Sequence, residues 1–336
     1  MPRVTMSVAT ETLRLKKPFH IANFVWESSD VVVVTLYDGE HRGRGEGGGV
    51  FFLGDDLAHM RAALDEYRQA IEGGPSRDEL RMIIPAGGAR NAVDCALWEL
   101  EAARAGKSVW QLAGVAEPKA LRTTFTIGAD TPEVMARCAL EYADARSIKI
   151  KLTGDLDLDL DRVRAIRSAR NDVWLGVDGN QGFTAGQLPA LIKGLADFGV
   201  SLLEQPLARG QDHELDRLQS PISIAADESV LTLADVPDTV GRFDVINIKL
   251  DKCGGLTEGL LMASEARRLG LGVMVGNMIG SSLAMAPAFV LGQGCDIVDL
   301  DGPSFLAADR TPSVVYRVGT ITSGPEVWGG NADIAR

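Results

Sequence analysis

Lys149, Lys151, Asp178, Glu204, Asp227, Lys249, Asp299 and Asp301 stand at the ends of short apolar runs, where a hydrophobic core gives no reason for charge. From Lys151 the successive separations to Asp178, Glu204, Asp227 and Lys249 are 27, 26, 23 and 22 residues, and Lys249 to Asp299 adds 50. A polar group thus recurs once per repeating unit. Three carboxylates brought to one place repel one another unless a cation lies among them, and oxygen donors with no histidine nearby point to Mg²⁺. Any one acid alone also reads as a helix cap or the partner of a local arginine; the common register of Asp178, Glu204 and Asp227 is what argues for a metal. Lys149 and Lys151 are two residues apart and share one face of a strand, whereas Lys249 enters from the far side. Two lysines flanking a metal can address opposite faces of one carbon. Burial, a neighbouring ammonium and a divalent cation each favour the neutral amine that can take a proton. The cation would hold a substrate carboxylate and offset the charge that develops as the α-proton leaves. Proton abstraction beside a carboxylate is the chemistry this set suits. Charge balance for the acids is the competing reading, strongest for Lys149. Asp299 and Asp301, away from the metal, suit a cationic group such as a substrate ammonium; a helix cap is the other reading of Asp301, which precedes Gly302-Pro303.

The elements that must position these groups are eight strand candidates: 123–127, 148–152, 173–178, 200–204, 222–227, 244–249, 271–276 and 296–301. Helical patterns lie between them, such as 131–145 with Thr131 as N-cap and Pro132 at the first helical position, and 257–269 stopped by Gly270. Eight such units make an α/β fold of the (β/α)8 TIM-like barrel type, with the last helix missing. A six-stranded doubly wound sheet is the lesser alternative. Gly43-x-Gly45-x-x-Gly48 matches a nucleotide-loop string, but VFFLG rather than a helix follows it, so it reads as a turn between strands. Before residue 120 the pattern differs. Residues 31–36, VVVVTL, form a strand ended by Asp38-Gly39, Ser76–Glu79 fits a capping box, and Val93, Ala96, Leu97 and Leu100 recur at helical spacing, which together read as an α+β unit.

With 336 residues, 46% hydrophobic and 24% charged, the chain is long enough for a large domain and a smaller companion. A net charge of −12 opposes binding to nucleic acid or to an anionic membrane. The first residues lack a signal-peptide apolar region and no run is long enough to span a bilayer, so a cytoplasmic location is expected. Cys95, Cys138, Cys253 and Cys295 are scattered and read as reduced thiols. His41, His59 and His213 read as surface residues, and Asp155, Asp157, Asp159 and Asp161 as acids favoured around a helix N-terminus rather than a Ca²⁺ loop.

At these residues the chain resembles the enolase superfamily, its muconate-lactonizing subgroup, and within it the dipeptide epimerases of the L-Ala-D/L-Glu type. The motifs in order are P-A-G-G-A-R-N-A at 85–92, K-x-K at 149–151, D-G-N at 178–180, E-Q-P at 204–206, A-D-E-S at 226–229, N-I-K-L-D-K-C-G-G at 247–255 and D-L-D-G-P at 299–303. The D-x-D is what points to dipeptides. The resemblance implies a (β/α)7β barrel over residues 119–305 and an α+β capping domain over 1–118, completed by the tail at about 306–336. It implies Mg²⁺ on Asp178, Glu204 and Asp227, 1,1-proton transfer between Lys151 and Lys249 with Lys149 auxiliary, and Asp299 and Asp301 on the dipeptide's ammonium. An N-acylamino acid racemase or cycloisomerase of the same superfamily, and a ligand-binding barrel without chemistry, are the alternatives; assembly into a homo-oligomer is left open. The chain departs from glutamate-preferring relatives in having no arginine at residues 18–30. Phe24, Trp26, Phe51 and Phe52 then offer an apolar pocket for the second residue of the substrate, or else pack the capping domain.

Overall fold

The computed structural model describes residues 3–21, 24–216 and 218–330, without the side chains of His20, Ile21 and Phe24. Three strands, β1 (Thr5–Ile21), β2 (Phe24–Tyr37) and β3 (Arg42–Gly48), form an antiparallel sheet in that order. The helix Gly88–Ala105 lies against it, buried along most of its length. Its seat is made by Gly43, Gly45 and Gly47: a Cβ on each would come within 2.0–2.1 Å of the carbonyl oxygens of Ala96, Ala92 and Gly88. The glycine string expected to be a turn is therefore a strand. Its glycines alternate on one face so that a helix backbone can touch the sheet. The Ser76 capping box is present, opening the helix Arg77–Ile83.

After a short strand β4 (Leu121–Arg122), eight parallel strands follow: β5 (Phe125–Ile127), β6 (Ser147–Lys151), β7 (Trp174–Asp178), β8 (Leu202–Glu204), β9 (Ser223–Ala226), β10 (Val245–Lys249), β11 (Gly272–Gly276) and β12 (Ile297–Val298). They pair in sequence order, and the two edges meet where Thr124 N donates to Val298 O at 3.0 Å. This is the expected barrel. β-Branched and aliphatic residues such as Ile148, Ile150, Val177 and Ile248 point outward into one large core with the helices. Every second position points inward. Trp174, Leu202, Ala225, Val245, Met274 and Ile297 form a separate apolar plug, and two or four residues further along all of these strands but that of Met274 come Asp178, Glu204, Asp227, Asn247, Lys249 and Asp299. The period of two thus turns an apolar floor into a polar layer above it.

α-Helices follow β5 (Pro132–Glu141, with Thr131 capping Val134 N), β6 (Leu156–Ala169), β7 (Leu188–Asp197), β10 (Leu256–Arg268) and β11 (Ser282–Gly292). Among the described residues, 3₁₀ segments alone stand after β8 and β9, Asp212–Leu215 and Leu233–Thr239, and a four-residue 3₁₀ turn, Gly302–Phe305, follows β12. In the acidic stretch Asp155 caps its helix as expected. Asp159, however, is fully buried and receives Thr153 N, Gly154 N and Arg162, so it anchors the loop after β6. His59 and His213 are exposed and His41 partly so. Of the last strands, β13 (Val315–Arg317) pairs with β14 (Thr320–Thr322), and β14 pairs with β4. On either side of them the tail reaches the first sheet and its helix: Ala307 N donates to Arg14 O, and Trp328 Nε1 to Arg44 O, both at 2.8 Å. None of the described helices is long and apolar enough to cross a membrane.

Candidate active site

Parallel pairing sets the level of each functional group. Lys151 is in register with Asp178 and Asp178 with Glu204; Asp227 follows β9 directly and Lys249 ends β10. The strand order β6, β7, β8, β9, β10 therefore reads lysine, acid, acid, acid, lysine. Asp178, Glu204 and Asp227 are buried, and one oxygen from each lies within 4.8 Å of the others.

Each carboxylate has one oxygen fixed by a donor of the scaffold. Asn180 N donates to Asp178 Oδ1 at 2.9 Å, Asn247 Nδ2 to Glu204 Oε1 at 2.7 Å, and Lys252 Nζ to Asp227 Oδ1 at 2.5 Å. The other oxygen faces a lysine of the cavity: Lys151 on Asp178 Oδ2 at 2.6 Å, Lys149 on Glu204 Oε2 at 3.1 Å, and Lys249 on Asp227 Oδ2 at 2.5 Å. Gln205 ties the ends of β8 and β9 together, because its Oε1 accepts both Asp227 N and Ser229 N.

Burial pushes Glu204 up to about 7, with Asp178 adding to it. Burial would raise Asp227 as well, but Lys249 and Lys252 outweigh it and hold that carboxyl far below the usual range. Lys249 mirrors this: burial opposes its charge, yet Asp227 and Glu204 hold the ammonium above its ordinary value. The lowered lysine pKa expected from sequence is thus not what protein groups alone produce, since a buried carboxylate sits in contact with the amine.

The donor set fits a hard divalent cation. It is all oxygen, closely spaced and buried, with an excess of negative charge that the lysines offset. Asn180 Oδ1, Glu228 Oε2 and Asn247 Oδ1 around it are buried acceptors with no hydrogen-bond partner. Such atoms are costly unless a ligand supplies donors, as water on a cation would.

A cavity of about 110 Å³ opens above this layer, lined by Lys149, Lys151, Lys249, Asp227, Glu228, Asp299 and Asp301 at its polar end. Asp299 has both oxygens engaged, one by Thr124 Oγ1 and one by Lys149. Asp301 accepts Thr126 N at 2.6 Å. Burial, reinforced by Asp299, pushes Asp301 up to about 7. It stands at the start of the Gly302–Phe305 turn, but its side chain does not cap that turn. The other end of the cavity is aromatic: Phe19, Trp26, Phe51, Phe52 and Phe305, with Met278 and Ile279. Trp26 meets Phe51 edge-on at 5.0 Å and Phe19 packs on Phe305 at 4.8 Å. These rings pack on one another and line the cavity. The side chain of Phe24 lies outside the described residues.

Asn247, Lys252, Gln205 and Glu228 lie within the motifs named above, but their roles show only in the folded arrangement. Lys252 is fully buried three residues beyond Lys249, but beside Lys249 and Asp251 its charge does not stand out in the order of residues.

Residues 134–306 match the family pattern described as enolase C-terminal domain-like, and residues 3–114 match the mandelate racemase / muconate lactonizing enzyme N-terminal domain. An L-Ala-D/L-Glu epimerase of Escherichia coli is 40% identical over 319 residues, covering 94% of this chain and 99% of that one. A crystal structure from Agrobacterium tumefaciens, described as an enolase family member with homology to dipeptide epimerases and holding sodium and L-Ala-L-Glu, superposes with a TM-score of 0.94 at 38% identity, covering 97% and 100% of the two chains. A dipeptide epimerase from Enterococcus faecalis, solved with Mg and L-Leu-L-Tyr, superposes with a TM-score of 0.90 at 30% identity, covering 96% and 97%.

Proposed function

Because the chain belongs to the mandelate racemase / muconate lactonizing enzyme family of the enolase superfamily, we propose that it is a Mg²⁺-dependent dipeptide epimerase inverting the α-carbon of the C-terminal residue. One observation carries this reading: two lysines flank three buried carboxylates in strand order. Asp178, Glu204 and Asp227 would hold Mg²⁺, which supplies charge to bind the substrate carboxylate and stabilise the enolate formed from it. Lys151 and Lys249 then work on opposite faces of the α-carbon. The amine on one side takes the α-proton, the electron pair moves into the carboxylate, and the ammonium on the other side returns a proton to the inverted face. Substrate of the other hand reverses the roles. Lys149 bridges Glu204 and Asp299, linking metal ligand to ammonium site. Asp301 receives the substrate ammonium, and Asp299 supports it through the field of the pair.

The aromatic end of the cavity favours an apolar side chain on the epimerised residue. Among the described lining residues the only cations are Lys149, Lys151 and Lys249, while the acidic pair Asp299 and Asp301 opposes a second carboxylate. A capping unit of residues 1–118 with the tail from about 306, over a barrel of 119–305, belongs to the same proposal. So do a cytoplasmic location and self-association, checked by cell fractionation and light scattering.

Incubation with L-Ala-L-Phe, L-Ala-L-Leu and L-Ala-L-Glu in D₂O with Mg²⁺ tests the reading. The expected result is an L,D product with deuterium at the C-terminal α-carbon, faster for the apolar dipeptides. No exchange across a dipeptide library would overturn the activity, and faster turnover of L-Ala-L-Glu would overturn the side-chain preference alone.

A further inference from the structure

Lys252 is among the largest fully buried side chains in the protein, and it does not line the cavity. Its three ammonium protons meet four oxygens: Asp227 Oδ1 and Asp227 O at 2.5 Å, Asn247 O at 3.1 Å and Val230 O at 3.2 Å. That saturation fixes the amine, and the amine fixes Asp227 with Oδ1 turned into the scaffold. Asn247 does the same to Glu204, whose Oε1 it holds at 2.7 Å. On the third ligand the backbone N–H of Asn180 holds Asp178 Oδ1. The oxygens that remain, Asp178 Oδ2, Glu204 Oε2 and Asp227 Oδ2, are those now facing the three cavity lysines.

We propose that Lys252 and Asn247 are positioning residues that restrict Asp227 and Glu204 to one metal-facing oxygen each, and so make the centre selective for a small octahedral cation over a large one. The inference rests on the metal reading given above. Its physical basis is the difference between the two hard cations. Mg²⁺ takes six oxygens at short distance and keeps waters, whereas Ca²⁺ takes six to eight at longer distance and welcomes bidentate carboxylates. A carboxylate with one oxygen held by a buried donor is restrained from turning that oxygen toward the ion, which disfavours chelation. Three such carboxylates leave room for waters, for which the unpartnered Asn180 Oδ1 and Glu228 Oε2 are ready acceptors. Releasing either committed oxygen would let its carboxylate swing to both-oxygen binding and relax the discrimination.

Calorimetric titration of the full chain with MgCl₂ and with CaCl₂, without substrate, tests this in the wild type, Lys252→Met and Asn247→Ala, with thermal unfolding recorded alongside. The wild type should bind Mg²⁺ more tightly than Ca²⁺. Each folded variant should lower the ratio of the Ca²⁺ to the Mg²⁺ dissociation constant fivefold or more. A smaller change in a folded variant overturns the proposal, because a residue with only a structural role lowers the unfolding temperature without moving that ratio. If Lys252→Met does not fold, Asn247→Ala decides, since it removes one donor and leaves the buried ammonium in place. Failure of the wild type to bind either ion would instead overturn the metal reading itself.

Discussion

Lys151 and Lys249 each grip a different outer carboxylate of the acidic trio, so their removal should have opposite stereochemical consequences. In Lys151→Ala and Lys249→Ala epimerisation should fall by about 10²–10⁴ or more, the range a positioned general base supplies. Each variant should still exchange the α-proton of one hand of substrate in D₂O, and the two variants should retain opposite hands. Proton NMR of separate L,L and L,D dipeptides reads this; retention of the same hand by both would place the amines on one face and end the two-base reading. Asp301 gives a pH prediction. Its carboxyl, pushed up to about 7, is neutral below that pH and cannot pair with an ammonium. kcat/KM for a dipeptide should therefore drop as pH falls below about 7. Asp301→Asn should lower kcat/KM roughly 10- to 150-fold at pH 8, the worth of about 1.5–3 kcal/mol for a charged hydrogen bond, and should flatten the limb below pH 7. A limb that persists unchanged in the variant would assign it to another group. The acids and lysines were legible in sequence because each interrupts an apolar run. Asn247 and Lys252 were not, because their function lies in which oxygen they hold, and that is decided by strands 20 to 45 residues away.

At the scale of elements, barrel-strand ends were read to within two residues, except that the last strand, expected to reach 301, ends at Val298, because inward polar and outward apolar positions alternate with the period of a pleated strand. Two helices expected between strands are 3₁₀ segments, after β8 and β9; inside the second, Pro237 interrupts helical continuation. The larger misreading was β3. A G-x-G-x-x-G string specifies close approach of backbone, but not to what; here the partner is a helix rather than a phosphate. Gly45→Ala should accordingly destabilise the fold by about 3 kcal/mol or more, at or beyond the top of the usual range for overpacking, because the methyl would sit 2.1 Å from the Ala92 carbonyl oxygen. Gly186→Ala is the control: a Cβ there meets nothing within 4 Å. Urea midpoints for both variants check the claim, and equal midpoints would mean that the helix does not rest on the glycine face.

At the scale of the molecule, the first sheet and its helix are fastened to the segment that carries Lys249 and Lys252. Arg90 reaches Cys253 O and Gly254 O, Asp94 accepts Thr257 N and Oγ1, and Arg81 pairs with Glu258 at 2.6 Å. Asp251 sits within this seam, accepting Gly48 N at 2.9 Å and Asn91 Nδ2 at 2.8 Å. Nothing in the order of residues announces such contacts, which join positions 160 to 203 apart. Burial pushes Asp251 up to about 7 from an ordinary value of 3.8, its two hydrogen bonds notwithstanding. The folded chain therefore holds this proton at pH values where the unfolded chain has lost it. Stability from this group is complete below about pH 3.8 and is lost as pH rises through about 7, by at most about 1.4 kcal/mol per unit. Asn at the same place keeps an oxygen for both donors and has no proton to lose. The stability of Asp251→Asn relative to wild type should thus grow between pH 5 and 7 and level off above 7. Asp94, raised by burial to about 6, is common to both proteins and cancels from the difference. Urea unfolding of the pair at pH 5, 6, 7 and 8 gives that difference directly. A flat line would show that Asp251 is ionised in the seam at every pH, and that the fastening beside Lys249 carries a full negative charge.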